Sequence, residues 1–238
     1  MSSSTPSTLS EPRSLFVYYG LGELRALERH RRVALQPGHH SASDLARLAG
    51  CGTETLAYLS LGEDASHGRP WQRRERNPLW GTHYVEVAHP AWQAHVVEAA
   101  VKALDLGFTG LFLDTLDTHD LYPDDREPLL DLARCLRAAC PGYIVANRGF
   151  GLMNQLATVV DGFLFEGFST TWEDGYQPLT RERLFANVEV AHDLQATRRD
   201  MYALDYADND LLAAFARDRA SAHGFMSLQV SNRELTLV

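Results

Sequence analysis

Two acidic residues each close a short apolar run and stand where a loop begins. Asp114 ends Gly110-Leu-Phe-Leu-Asp114, and Glu166 ends Gly162-Phe-Leu-Phe-Glu166. A buried strand that terminates in a carboxylate presents it at the rim of a sheet. Two such strands in one barrel aim two carboxylates into one cleft, which is the minimum equipment for cleaving a glycosidic bond. One group protonates the leaving oxygen, and the other attacks or activates water. The acid must hold its proton near neutral pH, and apolar neighbours raise a carboxyl pKa. Glu166 lies between Phe165 and Phe168 in sequence. The reading is therefore Glu166 as general acid/base and Asp114 as nucleophile. A retaining pair should stand roughly 5–5.5 Å apart. Asp114 could instead cap the next helix or bond the next loop.

The elements needed to position these groups are legible as an alternation. Strand-like runs are Leu15–Tyr19, Arg32–Gln36, Thr55–Leu61, Gly110–Asp114, Tyr143–Asn147, Gly162–Glu166, Met201–Asp205 and Phe225–Val230. Helical patterns fall between them, at Glu23–Arg31, Ser43–Leu48 with Ser43 as its cap, Ala91–Leu106, Asp125–Ala139, Leu152–Val159, Thr180–Ala196 and Asn209–His223. A βαβα order implies a parallel sheet with right-handed crossovers. No Gly-x-Gly-x-x-Gly follows the first strand, and polar residues recur at strand C-termini around the whole set. The expected fold is one closed (β/α)8 TIM barrel over residues 14–238, with a disordered Ser/Thr/Pro-rich tail at 1–13. After the third strand comes an irregular insertion, Asp64–Thr82, rich in Arg, Pro and Trp. It is too long for a bare connector and reads as a functional loop, with His83–Val87 as a possible small strand.

In such a barrel the strand C-termini converge on the active-site face. The residues there include Tyr18, Tyr19, Gln36, Glu63, Asp117, Asn147, Arg148, Asp205, Tyr206 and Gln229. Asp117 suits orienting Asp114 or binding a sugar hydroxyl. Asn147 suits a hydrogen bond near the scissile bond, and Arg148 could anchor an acidic rim residue. Glu63 is either a third acid or the partner of an Arg in the Arg69–Arg76 loop. Asp205 either binds substrate or makes a rim hydrogen bond. Tyr18, Tyr19, Trp71, Trp80, Phe168, Trp172 and Tyr206 crowd the same face, and sugar rings stack on such platforms.

Composition excludes several other functions. A net charge of −9 argues against nucleic acid and is compatible with a cationic substrate. Lys102 is the only lysine and lies in a helical run outside the barrel, so a Schiff-base aldolase is unsupported. The three cysteines have no Cys-x-x-Cys spacing, and His39-His40 has no partner at ligand spacing, so neither metal nor cofactor is expected. No signal peptide or membrane span is evident, and a cytoplasmic location is the plain expectation. An inactive carbohydrate-binding barrel is the first rival. A barrel isomerase or lyase is the second, and it would need a sealed pocket.

Several segments resemble glycoside hydrolase family 114, the endo-α-1,4-polygalactosaminidases, and related barrel glycosidases. They are Tyr18-Tyr19-Gly20, Tyr58-Leu-Ser-Leu-Gly-Glu63, Gly107-Phe-Thr-Gly-Leu-Phe-Leu-Asp-Thr-Leu-Asp117, Asn147-Arg-Gly-Phe150 and Phe165-Glu-Gly-Phe-Ser169. The resemblance implies a (β/α)8 barrel that cleaves galactosamine-containing polysaccharide, with the same two roles for Asp114 and Glu166. It implies a polysaccharide or oligosaccharide substrate and endo action. Many members of that family read Asp-Asn-x-Asp where this chain has Asp114-Thr-Leu-Asp117.

Overall fold

The apolar runs form eight parallel strands in a computed structural model that describes residues 14–236. They are β1 (Leu15–Tyr18), β2 (Arg32–Leu35), β3 (Glu54–Ser60), β4 (Gly110–Asp114), β5 (Tyr143–Asn147), β6 (Gly162–Glu166), β7 (Asp200–Tyr206) and β8 (Ser227–Ser231). They hydrogen-bond in chain order, each beside its predecessor. The expected (β/α)8 barrel is what forms. The tail expected at residues 1–13 lies outside the described residues.

Side-chain alternation divides the apolar residues into two layers. Leu15, Val17, Ala34, Leu56, Phe112, Val145, Leu164, Tyr202 and Leu204 fill the barrel. Val33, Leu35, Leu111, Leu113, Ile144, Phe163, Phe165 and Ala203 face outward into a larger core beneath the helices. Closure between β1 and β8 uses a side chain in place of a backbone ladder. The buried Gln229 amide accepts from Val17 N at 2.7 Å and donates to Val17 O at 2.8 Å. Ser227 Oγ adds a bond from Leu15 N. Gln229, grouped in the sequence with the active-site face, is therefore a staple for the seam.

The main helices are α1 (Leu24–Leu27), α2 (Ala42–Gly50), α3 (Pro90–Leu106), α4 (Arg126–Ala139), α5 (Met153–Leu156), α6 (Arg181–Ala196) and α7 (Asp210–Ala222). The cap of α2 is Ser41 rather than Ser43. Ser41 accepts from Asp44 N while the Asp44 carboxylate takes Ser41 N, a reciprocal capping box. Thr180 and Asn209 cap α6 and α7 from one side only, each accepting a first-turn amide. α1 is one turn long, shorter than the expected Glu23–Arg31. Lys102 is exposed on α3 and pairs with Glu98, outside the barrel.

The insertion after β3 is more regular than expected. Glu63–Asp64, Gln72–Arg76 and His83–Val85 form an antiparallel sheet with His83–Val85 in the middle. Gln72-Arg-Arg-Glu-Arg76 is wholly polar and largely exposed, so it carries no alternating apolar signal.

Candidate active site

Asp114 and Glu166 end β4 and β6, and Asn147 ends the strand between them. Counting by twos from Phe112, Val145 and Leu164, all three side chains point into the barrel. The single nitrogen Nδ2 of Asn147 donates to Asp114 Oδ1 at 2.9 Å and to Glu166 Oε2 at 2.7 Å. Those bonds laid end to end span about 5.6 Å, which bounds the separation of the two oxygens and suits a retaining pair better than the ~6.5–9.5 Å of an inverting one. Each carboxylate also accepts one tyrosine hydroxyl. Tyr58 donates to Asp114 Oδ2 at 2.8 Å, and Tyr206 donates to Glu166 Oε1.

Burial, and next the neighbouring Glu166 charge, push the Asp114 carboxyl up to about 6. Hydrogen bonds from Tyr58, the Thr115 amide and Asn147 oppose that rise. Burial together with the two carboxylates also raises Tyr19, so its hydroxyl stays neutral. The apolar neighbours expected to act on Glu166 do not face it. Phe165 and Phe168 lie in the outer core, Phe165 edge-on to Phe225 and Phe168 tilted against it, and Phe165 turns away because adjacent strand residues point to opposite faces. The surroundings of Glu166 are polar.

A left-handed residue follows each functional group. Thr115 has φ 61°, Arg148 φ 57° and Gly167 φ 71°. A β-branched residue there costs on the order of 1–3 kcal/mol. The Thr115 hydroxyl offsets this by accepting from Leu61 N at 3.0 Å and Gly62 N at 2.7 Å. It thereby ties the end of β4 to the end of β3. Gly62 has no room for a Cβ, which would meet the Thr115 carbonyl and the Thr118 side chain.

The other expected residues divide between cleft and scaffold. Tyr19, Glu63, Asp117, Asn147, Trp172 and Tyr206 line the same cleft as Asp114 and Glu166, a cavity of about 770 Å³. Glu63 is held by Asn77 Nδ2 at 2.9 Å and Thr82 Oγ1 at 2.5 Å, and it forms no ion pair with the Arg69–Arg76 segment. Asp117 pairs with Arg148 Nε at 2.5 Å and accepts Gly149 N at 2.9 Å, so Arg148 does anchor an acidic rim residue.

Two expected substrate contacts are corrected. Tyr206 takes the interior position on β7, so Asp205 must point outward. Its buried carboxylate accepts the amides of Ser169 and Thr170 and clasps the loop after β6. Burial raises Asp205 to about 6, and its Oδ2 has no partner. By the same alternation Tyr19 faces the barrel, while Tyr18 is buried outside it and donates to Leu21 O. Two of the aromatic platforms also fall away. Trp71 is buried and donates to Asp64, and Phe168 is core.

The sequence reading missed Tyr58, whose signal was an aromatic residue on the inward register of β3. It also missed Arg183 and Arg233, which line the cleft from α6 and from the segment after β8. Among the described residues no group of three or more His, Cys, Asp or Glu side chains is placed to hold a metal ion. No helix among them is long and apolar enough to cross a membrane.

Fold and cleft together define a class: a (β/α)8 barrel whose acidic site stands at the C-terminal ends of its strands. Solved structures with this fold match this chain over nearly its full length. The glycoside hydrolase domain of PelA from Pseudomonas aeruginosa is 26% identical, with a TM-score of 0.85 over 94% of this chain and 96% of that one. Aspergillus fumigatus Ega3, solved in complex with galactosamine, has the same fold at 12% identity, with a TM-score of 0.70 over 99% of this chain and 96% of its own. TtGalA, an α-galactosidase from Thermus thermophilus, shares the fold at 13% identity and a TM-score of 0.58, over 96% of this chain and 60% of its own. An uncharacterized protein of Methanocaldococcus jannaschii is 20% identical over 201 residues, 72% of this chain. The chain spans 57% of the length of that relative. No family model matches the sequence. The resemblance to glycoside hydrolase family 114 and related barrel glycosidases thus holds for the structure as well as for the motifs.

Proposed function

We propose that this chain is a retaining, endo-acting glycoside hydrolase that cleaves α-1,4-linked galactosamine and N-acetylgalactosamine polysaccharide, with residues 14–238 as its catalytic unit. The observation that carries the reading is the single Asn147 amide bonded to both carboxylates. It fixes their spacing and their oxygen orientation together. The cleft lies on the barrel face and is rimmed by Trp80 and Trp172, as an oligosaccharide groove requires. A sealed pocket, which an isomerase would need, is not what surrounds the pair.

In this mechanism the ionised Asp114 attacks the anomeric carbon. The pair shares one proton in the reactive form, and from Glu166 it passes to the departing glycosidic oxygen as that bond breaks. The covalent glycosyl ester is then hydrolysed by water, which Glu166, now ionised, deprotonates. Asn147 and the two tyrosines keep both groups in position as the charge moves between them. Glu63, with no ion pair among the described residues, adds negative charge to the cleft beside the Asp114–Glu166 pair and would favour a polymer with protonated amines. The complex of Ega3 with galactosamine supports that choice of sugar.

Mass spectrometry of products from galactosamine, N-acetylgalactosamine and mixed polymers tests the substrate. Proton NMR of the first anomer released tests retention. The expected result is internal cleavage with the α-anomer formed first. Tight binding of these polymers without turnover would instead make the chain a carbohydrate-binding barrel.

A further inference from the structure

Three segments far apart in sequence meet over one edge of the cleft. Trp80 comes from the insertion after β3, Trp172 from the loop after β6 and Arg233 from the segment after β8. The guanidinium of Arg233 lies 4.8 Å from the Trp80 ring and 4.2 Å from the Trp172 ring. The two indoles meet edge to face at 5.8 Å. Trp172 in turn stands edge-on to Tyr206 at 6.5 Å, and Tyr206 is the residue that donates to Glu166. The Trp–Arg–Trp bracket is therefore one aromatic ring away from the acid, in the same cavity.

Arg233 is held in place by neutral groups. Its backbone amide donates to the Tyr176 hydroxyl at 3.1 Å, and Nη2 donates to Leu79 O at 3.3 Å. Among the described residues it forms no ion pair, although Glu173 and Glu234 line the same cleft. Stacking against indoles spends the faces of a guanidinium and leaves its in-plane N–H edges. With one of those used on Leu79 O, the others keep their capacity for an oxygen acceptor. Such a group repels an ammonium and favours a planar acceptor, which it meets already oriented.

We propose that Trp80, Arg233 and Trp172 form a sugar subsite that reads an exocyclic oxygen acceptor and rejects a protonated amine. The acceptor is the acetamido carbonyl of an N-acetylated residue or the carboxylate of a uronic residue. This rests on the glycosidase reading and refines it. The acidic pair and Glu63 share the cleft with a cation that has no ion pair among the described residues. A chain of mixed substitution satisfies both, whereas a uniformly cationic polymer places an ammonium against Arg233.

Binding is the test, so that its failure is distinct from failure of catalysis. Protein carrying Glu166→Gln is titrated with oligomers of galactosamine, N-acetylgalactosamine and galacturonate, following tryptophan fluorescence, to which Trp80 and Trp172 contribute beside the buried Trp71 and Trp92. The expected preference for the oxygen-bearing ligands over the free amine is about tenfold or more. Which of the two binds more tightly identifies the source of the acceptor. Adding Arg233→Met, which keeps the apolar stem between the indoles, should abolish the preference. Arg233→Lys should keep the rejection of the amine and lose affinity for the acceptor. Equal or tighter binding of the galactosamine oligomer, binding of none of the three, or an unchanged preference in either Arg233 variant would overturn the proposal. Wild-type protein that binds with this selectivity but releases no product would sink the hydrolase reading alone.

Discussion

Removing the Asn147 amide should move the pH dependence of the reaction upward. In Asn147→Ala each carboxylate loses one hydrogen bond, at 2.9 Å for Asp114 and 2.7 Å for Glu166. A hydrogen bond to a charged group contributes about 1.5–3 kcal/mol. One pKa unit corresponds to about 1.4 kcal/mol, so the loss is worth roughly one to two units at Asp114. The sign follows from which form the bond favours. The amide donates to the ionised carboxylate, so deleting it favours the protonated acid and raises the pKa. Asp114 begins at about 6 and should rise from there. An attacking carboxylate must be ionised, so the acidic limb of kcat/KM should follow it. Water entering the space left by the side chain would place the shift at the lower end. The rate at the optimum should also fall, by about 10²–10³, as when one preorganised donor is lost. Profiles of kcat/KM between about pH 4.5 and 9 on a defined oligosaccharide measure both effects. An acidic limb that stays where it was, with near-wild-type turnover, would refute the argument that Asn147 holds the pair.

Other perturbations probe the scaffold. Asp205 binds its proton more tightly in the fold than a free carboxylate does, so it adds stability below about pH 4 that is lost as pH rises through about 6. Asp205→Asn keeps an acceptor for the two amides and supplies a donor at the orphaned oxygen. Its melting temperature should change less between pH 5 and pH 8 than that of the wild type, and an unchanged slope would count against a charged, costly Asp205. Gln229→Leu strands the N–H and C=O of Val17 at the seam and should lower unfolding free energy by about 2–4 kcal/mol in denaturant titrations. A loss below ~0.5 kcal/mol would mean that water or backbone closes the seam instead. Thr115→Val keeps the shape, removes the hydroxyl that Leu61 and Gly62 donate to, and should cost kcat more than KM. Thr115→Ser should restore most of the rate, and equal kinetics in both variants would remove that positioning role.

The barrel was legible because its strands are short apolar runs separated by helices of ordinary length. Asp114 and Glu166 were legible because a carboxylate after four apolar residues is conspicuous in either strand. Choosing between neighbours was harder. Tyr18 and Tyr19, like Asp205 and Tyr206, are adjacent pairs of plausible ligands, and only one of each can face the barrel. The register came from packing: Leu15 and Val17 on β1, and Tyr202 and Leu204 on β7, fill the interior. Carrying the same count from Leu164 would have turned Phe165 away from Glu166. Gln72–Arg76 was missed as a strand because both its faces are polar, and Arg233 because its meaning comes from two indoles about 60 and 150 residues away.

The most direct test of the central claim is turnover by Asp114→Asn and Glu166→Gln, each shown to be folded by its near-ultraviolet circular dichroism and melting temperature. Each replacement keeps size and hydrogen-bonding oxygen and removes only the ionisable group. The paired-carboxylate account predicts that the wild type releases shorter oligosaccharides from a galactosamine-containing polymer and that neither folded variant does. Cleavage at the wild-type rate by either one would contradict it.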